Sequence, residues 1–123
     1  MQMEREWPWG LVVLGDPNDT DAVPASLDSN GVARTCSTVV ARIQHGVDGP
    51  AVASVAMDSE PGGLILVHAG SMVLPGGRLR LGDAAAEQVE EAELPAGEYA
   101  VRVLIDELEH PFRVHFALSF SQG

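Results

Sequence analysis

The fold turns on the stretch Glu98-Tyr99-Ala100-Val101-Arg102-Val103-Leu104-Ile105-Asp106 and its near neighbour Phe112-Arg113-Val114-His115-Phe116-Ala117-Leu118-Ser119-Phe120. In the first, Tyr99, Val101, Val103 and Ile105 fall on one side, with Glu98, Arg102 and Asp106 on the other. In the second, Phe112, Val114, Phe116, Leu118 and Phe120 alternate with Arg113, His115, Ala117 and Ser119. Successive strand side chains point to opposite faces, so a sustained period of two predicts half-buried antiparallel strands.

Upstream the same pattern recurs more loosely. Residues 37–45 and 51–57, separated by Gly46-Val47-Asp48-Gly49-Pro50, predict a hairpin. Pro61-Gly62-Gly63 and Pro75-Gly76-Gly77 are further turns. Leu64-Ile65-Leu66-Val67 is apolar on both faces, which predicts a strand covered on both sides. Leu79 and Leu81 alternate with Arg78 and Arg80, and Leu11 to Leu14 gives a short first strand. The run Ala84-Ala85-Ala86-Glu87-Gln88 favours a helical turn with Asp83 as its N-cap, followed by a strand from Val89. Residues 16–34 read as loop or weak strand, and no internal repeat is visible. Short strands separated by Gly/Pro turns predict an all-β fold. The expected form is one antiparallel β-sandwich domain over residues 1–123, jelly-roll-like or a flattened barrel, with about seven or eight strands.

Composition narrows the function. The chain has 123 residues, 46% of them hydrophobic, with 18 acids against 7 bases and a net charge of −11. All the bases are arginines, and the Ala/Val/Gly/Arg-rich usage without lysine suggests a bacterial, high-GC source. The apolar fraction argues for a folded domain. The charge argues against nucleic acid and anionic membrane as partners, since phosphate contacts need clustered cations. The first apolar run, Leu11 to Leu14, is too short for a signal peptide or a membrane span, and the single cysteine, Cys36, allows no intrachain disulfide. A cytoplasmic location is therefore expected.

Few residues carry a recognisable chemistry. His45, His68, His110 and His115 show no paired metal-ligand spacing, and Val67-His68-Ala69 is not a cupin-type histidine motif. Asp16-Pro17-Asn18-Asp19-Thr20-Asp21 is oxygen-rich, but the EF-hand order needs Gly and Glu where Asp21 and Leu27 stand. No serine-elbow or phosphate-loop motif occurs. No catalytic residue, metal or cofactor is assigned. Trp7-Pro8-Trp9 offers two readings: a stacking platform for a sugar or small ligand, or a tryptophan that plugs one end of the sandwich and pins the first strand. The second is preferred. The three phenylalanines are expected on one inward strand face.

The strongest candidate site is electrostatic. Asp83, Glu87, Glu90, Glu91, Glu93 and Glu98 include no base between them, and Asp106, Glu107 and Glu109 follow with only Arg102 intervening. If gathered on one edge, these carboxylates form a docking surface for a basic protein. The competing reading is an edge strand charged against edge-to-edge aggregation.

The succession Gly63-Leu-Ile-Leu-Val67, then Glu93-Leu-Pro-Ala-Gly-Glu-Tyr-Ala-Val-Arg-Val103, then Phe112-Arg-Val-His-Phe-Ala-Leu118 resembles the C-terminal half of a group of small bacterial β-sandwich proteins. That group includes the nuclease inhibitors of the competence protein J family, in which a Leu-Pro-x-Gly-x-Tyr turn leads into the penultimate strand. The resemblance covers about the last 60 residues and leaves the half from Trp7 to Met57 unmatched. It implies a non-catalytic sandwich that binds a protein, with an immunity protein or nuclease inhibitor as the concrete expectation. The alternatives are a carbohydrate- or small-ligand-binding module using Trp7 and Trp9, and a metal-dependent enzyme using His68, His110 or His115.

Overall fold

Two long antiparallel ribbons, each bent double, build the molecule. The structure, a computed structural model, describes residues 1–18 and 27–122. The first ribbon pairs β1 (Gln2–Arg5) with β5 (Ala51–Met57), from Gln2 opposite Ser54 to Arg5 opposite Ala51. Beyond a bend it pairs β2 (Leu11–Gly15) with β4 (Thr38–Arg42), from Leu11 opposite Arg42 to Gly15 opposite Thr38. Short turns at Pro8–Gly10 and Gly46–Asp48 make that bend. Gly46 N–H donates to Trp7 C=O at 2.8 Å, and Ile43 N–H to Gly10 C=O at 3.0 Å.

The second ribbon repeats the device. β6 (Ile65–Leu74) pairs with β9 (Gly97–Ile105), Ile65 opposite Ile105 and Leu74 opposite Gly97. After the bend, β7 (Arg78–Asp83) pairs with β8 (Val89–Glu93), Arg78 opposite Glu93. The bend is Pro75-Gly76-Gly77 against Leu94-Pro95-Ala96, closed by Leu94 N–H donating to Gly77 C=O at 3.0 Å. Gly77 has φ +68°, and a Cβ there would lie 2.8 Å from the Leu94 carbonyl oxygen, so both conformation and space require glycine. Strands that switch sheets at such corners hold two layers together covalently.

The ribbons lie side by side in two five-stranded sheets of order β1-β5-β10-β9-β6 and β3-β4-β2-β7-β8, with β3 at Val32–Arg34 and β10 at Arg113–Gln122. Between them sits one core of alternating side chains, including Trp7, Val12, Leu14, Met72, Leu79, Leu81, Tyr99, Val101, Val103, Val114, Phe116 and Leu118. The motif tyrosine works as a corner: Tyr99 Oη donates to Pro95 C=O at 2.6 Å, tying β9 to the bend just before it. Burial pushes its phenol pKa up, so it stays a donor.

Several expectations are corrected. There are ten strands among the described residues, and no closed barrel. The sandwich is mostly antiparallel, because β10 runs parallel to β5. Residues 37–57 are no hairpin: β4 and β5 belong to different sheets, and the Gly46–Pro50 segment is the bend between them. β6 is an edge strand, with Ile65 and Leu66 exposed; a register shift between Leu66 and His68 lets Val67 turn into the core. Residues 84–88 form a tight turn and not a helix. Of the phenylalanines only Phe116 is buried, since Phe112 and Phe120 continue the alternation past the cover of the opposite sheet.

Candidate functional site

The acids read as one edge divide into three groups. Asp83 belongs inside. Its side chain is fully buried and paired with the guanidinium of Arg5, which also lies over the Trp7 ring at 5.6 Å. Asp83 Oδ1 accepts from the backbone N–H of Ala85 at 2.9 Å and of Glu87 at 3.1 Å, and Oδ2 from Gln88 at 3.1 Å. Burial alone would raise its pKa; the three N–H donors and Arg5 outweigh that and hold it below the usual carboxylate value. Asp83 thus builds the turn that presents the acidic strand, and fastens it to β1.

Glu87 is exposed on that turn, and Glu90, Glu91 and Glu93 are exposed along β8, which is the outer strand of its sheet. Glu91 and Glu93 lie opposite Arg80 and Arg78, and Arg78 donates to Glu91 at 2.5 Å across solvent-exposed surface. Exposed pairs of this kind contribute little stability. Glu98 is elsewhere, at the start of β9 in the other sheet, opposite Val73. A cleft of about 280 Å³ lies on the outer face of the second sheet beside the acidic turn, lined by Leu11, Val13, Val40, Arg80 and Val89 among others.

The other candidates are dispersed. Among the described residues no three His, Cys, Asp or Glu side chains converge as a metal site would require. His45 and His110 are exposed. His68 sits at the β6 irregularity, its Nε2 buried without a partner; burial and then Arg34 push its pKa down, against an opposing pull from Asp28. His115 is buried on the outer face of the first sheet. Its Nε2 donates to Ser59 C=O at 3.1 Å, and its Nδ1 pairs with Ser54 Oγ at 2.7 Å. With the Arg102–Glu60 ion pair at 2.7 Å, these bonds fasten residues 58–60 across the sheet. Of the oxygen-rich loop, Asp16 is buried and accepts from Asn18 N–H at 2.8 Å; Asp19, Thr20 and Asp21 lie outside the described residues. Cys36 is exposed. No helix among the described residues is long and apolar enough to cross a membrane.

The tryptophans part company. Trp7 is fully buried, as one of the two readings has it, and its Nε1–H donates to Ala51 C=O at 2.9 Å; the strand it follows directly is β1, which the sequence pattern does not announce, and not Leu11 to Leu14. Trp9 is 70% exposed. A two-tryptophan stacking platform is therefore not formed.

By sequence the chain matches neither a protein-family model nor a curated protein. Two solved structures share its architecture. One is ComJ from Bacillus subtilis, an inhibitor of the DNA-degrading activity of NucA, with a TM-score of 0.75 over 98% of this chain and 96% of that one at 10% identity. The other is the protein of crocagin biosynthetic gene J, with a TM-score of 0.63 over 99% and 96% at 12% identity. The likeness read from the C-terminal motif thus extends, as fold, across nearly the whole chain, the unmatched first half included: this protein has the ComJ fold.

Proposed function

We propose that this chain is a non-catalytic, inhibitor-like protein that acts by binding another protein, a basic DNA-degrading nuclease being the concrete case. The observation that carries the reading is β8 itself. It is an edge strand with Glu90, Glu91 and Glu93 exposed, laddered to β7 along its length and entered through a turn that the buried Asp83–Arg5 pair fastens. A fixed row of carboxylates beside unpaired strand edge offers a basic partner both charge and backbone groups. The shared fold with ComJ, an inhibitor of NucA, supports a nuclease as the partner class.

The test is plasmid digestion by NucA and a panel of other basic non-specific nucleases, with the chain in excess. Protection against at least one is expected. It should weaken by about tenfold or more when Glu90, Glu91 and Glu93 are changed together to Gln, and fall steeply from roughly 50 to 300 mM salt, because screening shortens the reach of exposed charge. No protection against any nuclease sinks the nuclease reading. Equal protection by the triple variant sinks the acidic edge, and aggregation of that variant assigns the charges to keeping the edge unpaired.

A further inference from the structure

The bend of the first ribbon carries an unusual surface. Trp9 has φ +67°, in the left-handed region that glycine occupies without cost, and its indole is 70% exposed. Val47 on the facing turn is 84% exposed, and the two turns touch. The segment joining β9 to β10 meets the same end: Gln44 N–H donates to Pro111 C=O at 2.7 Å, and Val52 N–H to Phe112 C=O at 2.9 Å. That segment adds Phe112, 53% exposed, and Leu108, 49% exposed. Three loops tied by backbone hydrogen bonds thus carry four exposed large apolar side chains at this end of the sandwich.

Among the described residues, Trp9 adds nothing to the buried core. An exposed indole gains little from folding, and a tryptophan in the left-handed region costs energy that glycine would not. A backbone penalty with no internal return points to an external contact, and Trp is the residue most often found at the energetic centre of protein interfaces. The rim identifies the partner's charge. Glu6, Asp48, Glu107 and Glu109 are exposed on these loops, against one exposed arginine, Arg113, and the exposed His45 and His110. The acidic turn at Glu87 reaches the same end through the Arg5–Asp83 pair. A second copy of a chain of charge −11 would meet its own sign here.

We propose that this end of the sandwich, centred on Trp9 and shared by Val47, Phe112 and Leu108, is a docking surface for a basic protein, whose apolar recess takes the indole while its arginines and lysines meet the surrounding carboxylates. The proposal rests on the protein-binding reading above and gives that partner an apolar anchor in addition to the β8 edge.

The test is photo-crosslinking in the native host with p-benzoylphenylalanine placed singly at Trp9, Val47, Val89 or, as a control at the opposite end, Val73. The expected result is one adduct shared by positions 9 and 47 and absent at 73, identified by mass spectrometry as a protein of basic isoelectric point. With that protein purified, Trp9→Gly should weaken binding by about 30-fold or more without lowering the melting temperature, and Val73→Ser by less than about threefold. An adduct at Val89 alone leaves the protein-binding reading standing and overturns this surface. Crosslinking to a second copy of the chain, to an acidic protein or to lipid overturns it too. So does a Trp9→Gly variant that melts several degrees lower, since the indole would then serve the fold. No adduct at any position removes both proposals.

Discussion

The two bends solve one problem, carrying a ribbon from one sheet to the other, with different residues. Both bends use glycine where the chain turns left-handed, at Gly10 and Gly49 in the first and Gly77 in the second, and the second closes with Tyr99 Oη on the Pro95 carbonyl. Its demands are met locally. The first bend drives Trp7 into the core and leaves Trp9, two positions on, strained and exposed. The second corner shows what a corner needs; the first carries an exposed, left-handed tryptophan beyond that need, which is the surplus the proposed docking surface would account for.

Substitutions can break or sharpen that contrast. The largest effect belongs to Trp7→Ala, which empties a fully buried site and removes the indole bond to the Ala51 carbonyl; a loss of about 3–5 kcal/mol in denaturant unfolding is expected. Asp83→Ala comes next, at about 3 kcal/mol near neutral pH, because it strands Arg5 and three turn N–H groups. This contribution has a defined pH sign. Folding lowers the Asp83 pKa, so its stabilisation is complete above the ordinary carboxylate range and is lost as pH falls through the depressed value. Wild-type stability should therefore fall more steeply with acid than that of Asp83→Ala; parallel curves would refute the role. At the second bend, Tyr99→Phe removes one hydrogen bond and should cost about 1 kcal/mol. The smallest effect has the opposite sign. Trp9→Gly relieves left-handed strain, offset by greater freedom of the unfolded chain, for a net gain of about 0.5–1 kcal/mol. If Trp9→Gly were instead as destabilising as Tyr99→Phe, the two bends would be alike in kind.

Face assignment was legible in the sequence, and neighbours were not. Alternation placed Tyr99, Val101, Val103 and Ile105 inward because burial on one side leaves a period of two. It cannot say where a strand outruns its cover, so Phe112 and Phe120 read as core. Nor does it say that Leu64 to Val67 lies at an edge, since the irregularity at Val67 mimics a strand buried on both faces. The Leu-Pro-Ala-Gly-Glu-Tyr motif was readable because its hydrogen bond is local, from Tyr99 to Pro95. Asp83 was legible as the cap of the turn that follows it, but counting it with the exposed acids missed its burial, for the converse reason. Its partner, Arg5, is 78 residues away, and no pattern along the chain announces such a pair. The acidic strand was legible as charge, whereas its separation from Glu98 by a change of sheet was not.

One feature of the layering bears on how the molecule comes to be folded. β10 is the central strand of its sheet, parallel to β5 and antiparallel to β9, yet it follows both ribbons in the chain. The second ribbon can zip from the turn at 84–88 that joins β7 to β8, but the first sheet stays split between β5 and β9 until β10 inserts. That step brings Ser54 and His115, 61 residues apart, into register. Contacts of such long range must close a large loop before they stabilise anything, so folding in milliseconds to seconds is expected, as stopped-flow refolding would check. During synthesis, two half-sheets with open inner edges must wait for their wedge.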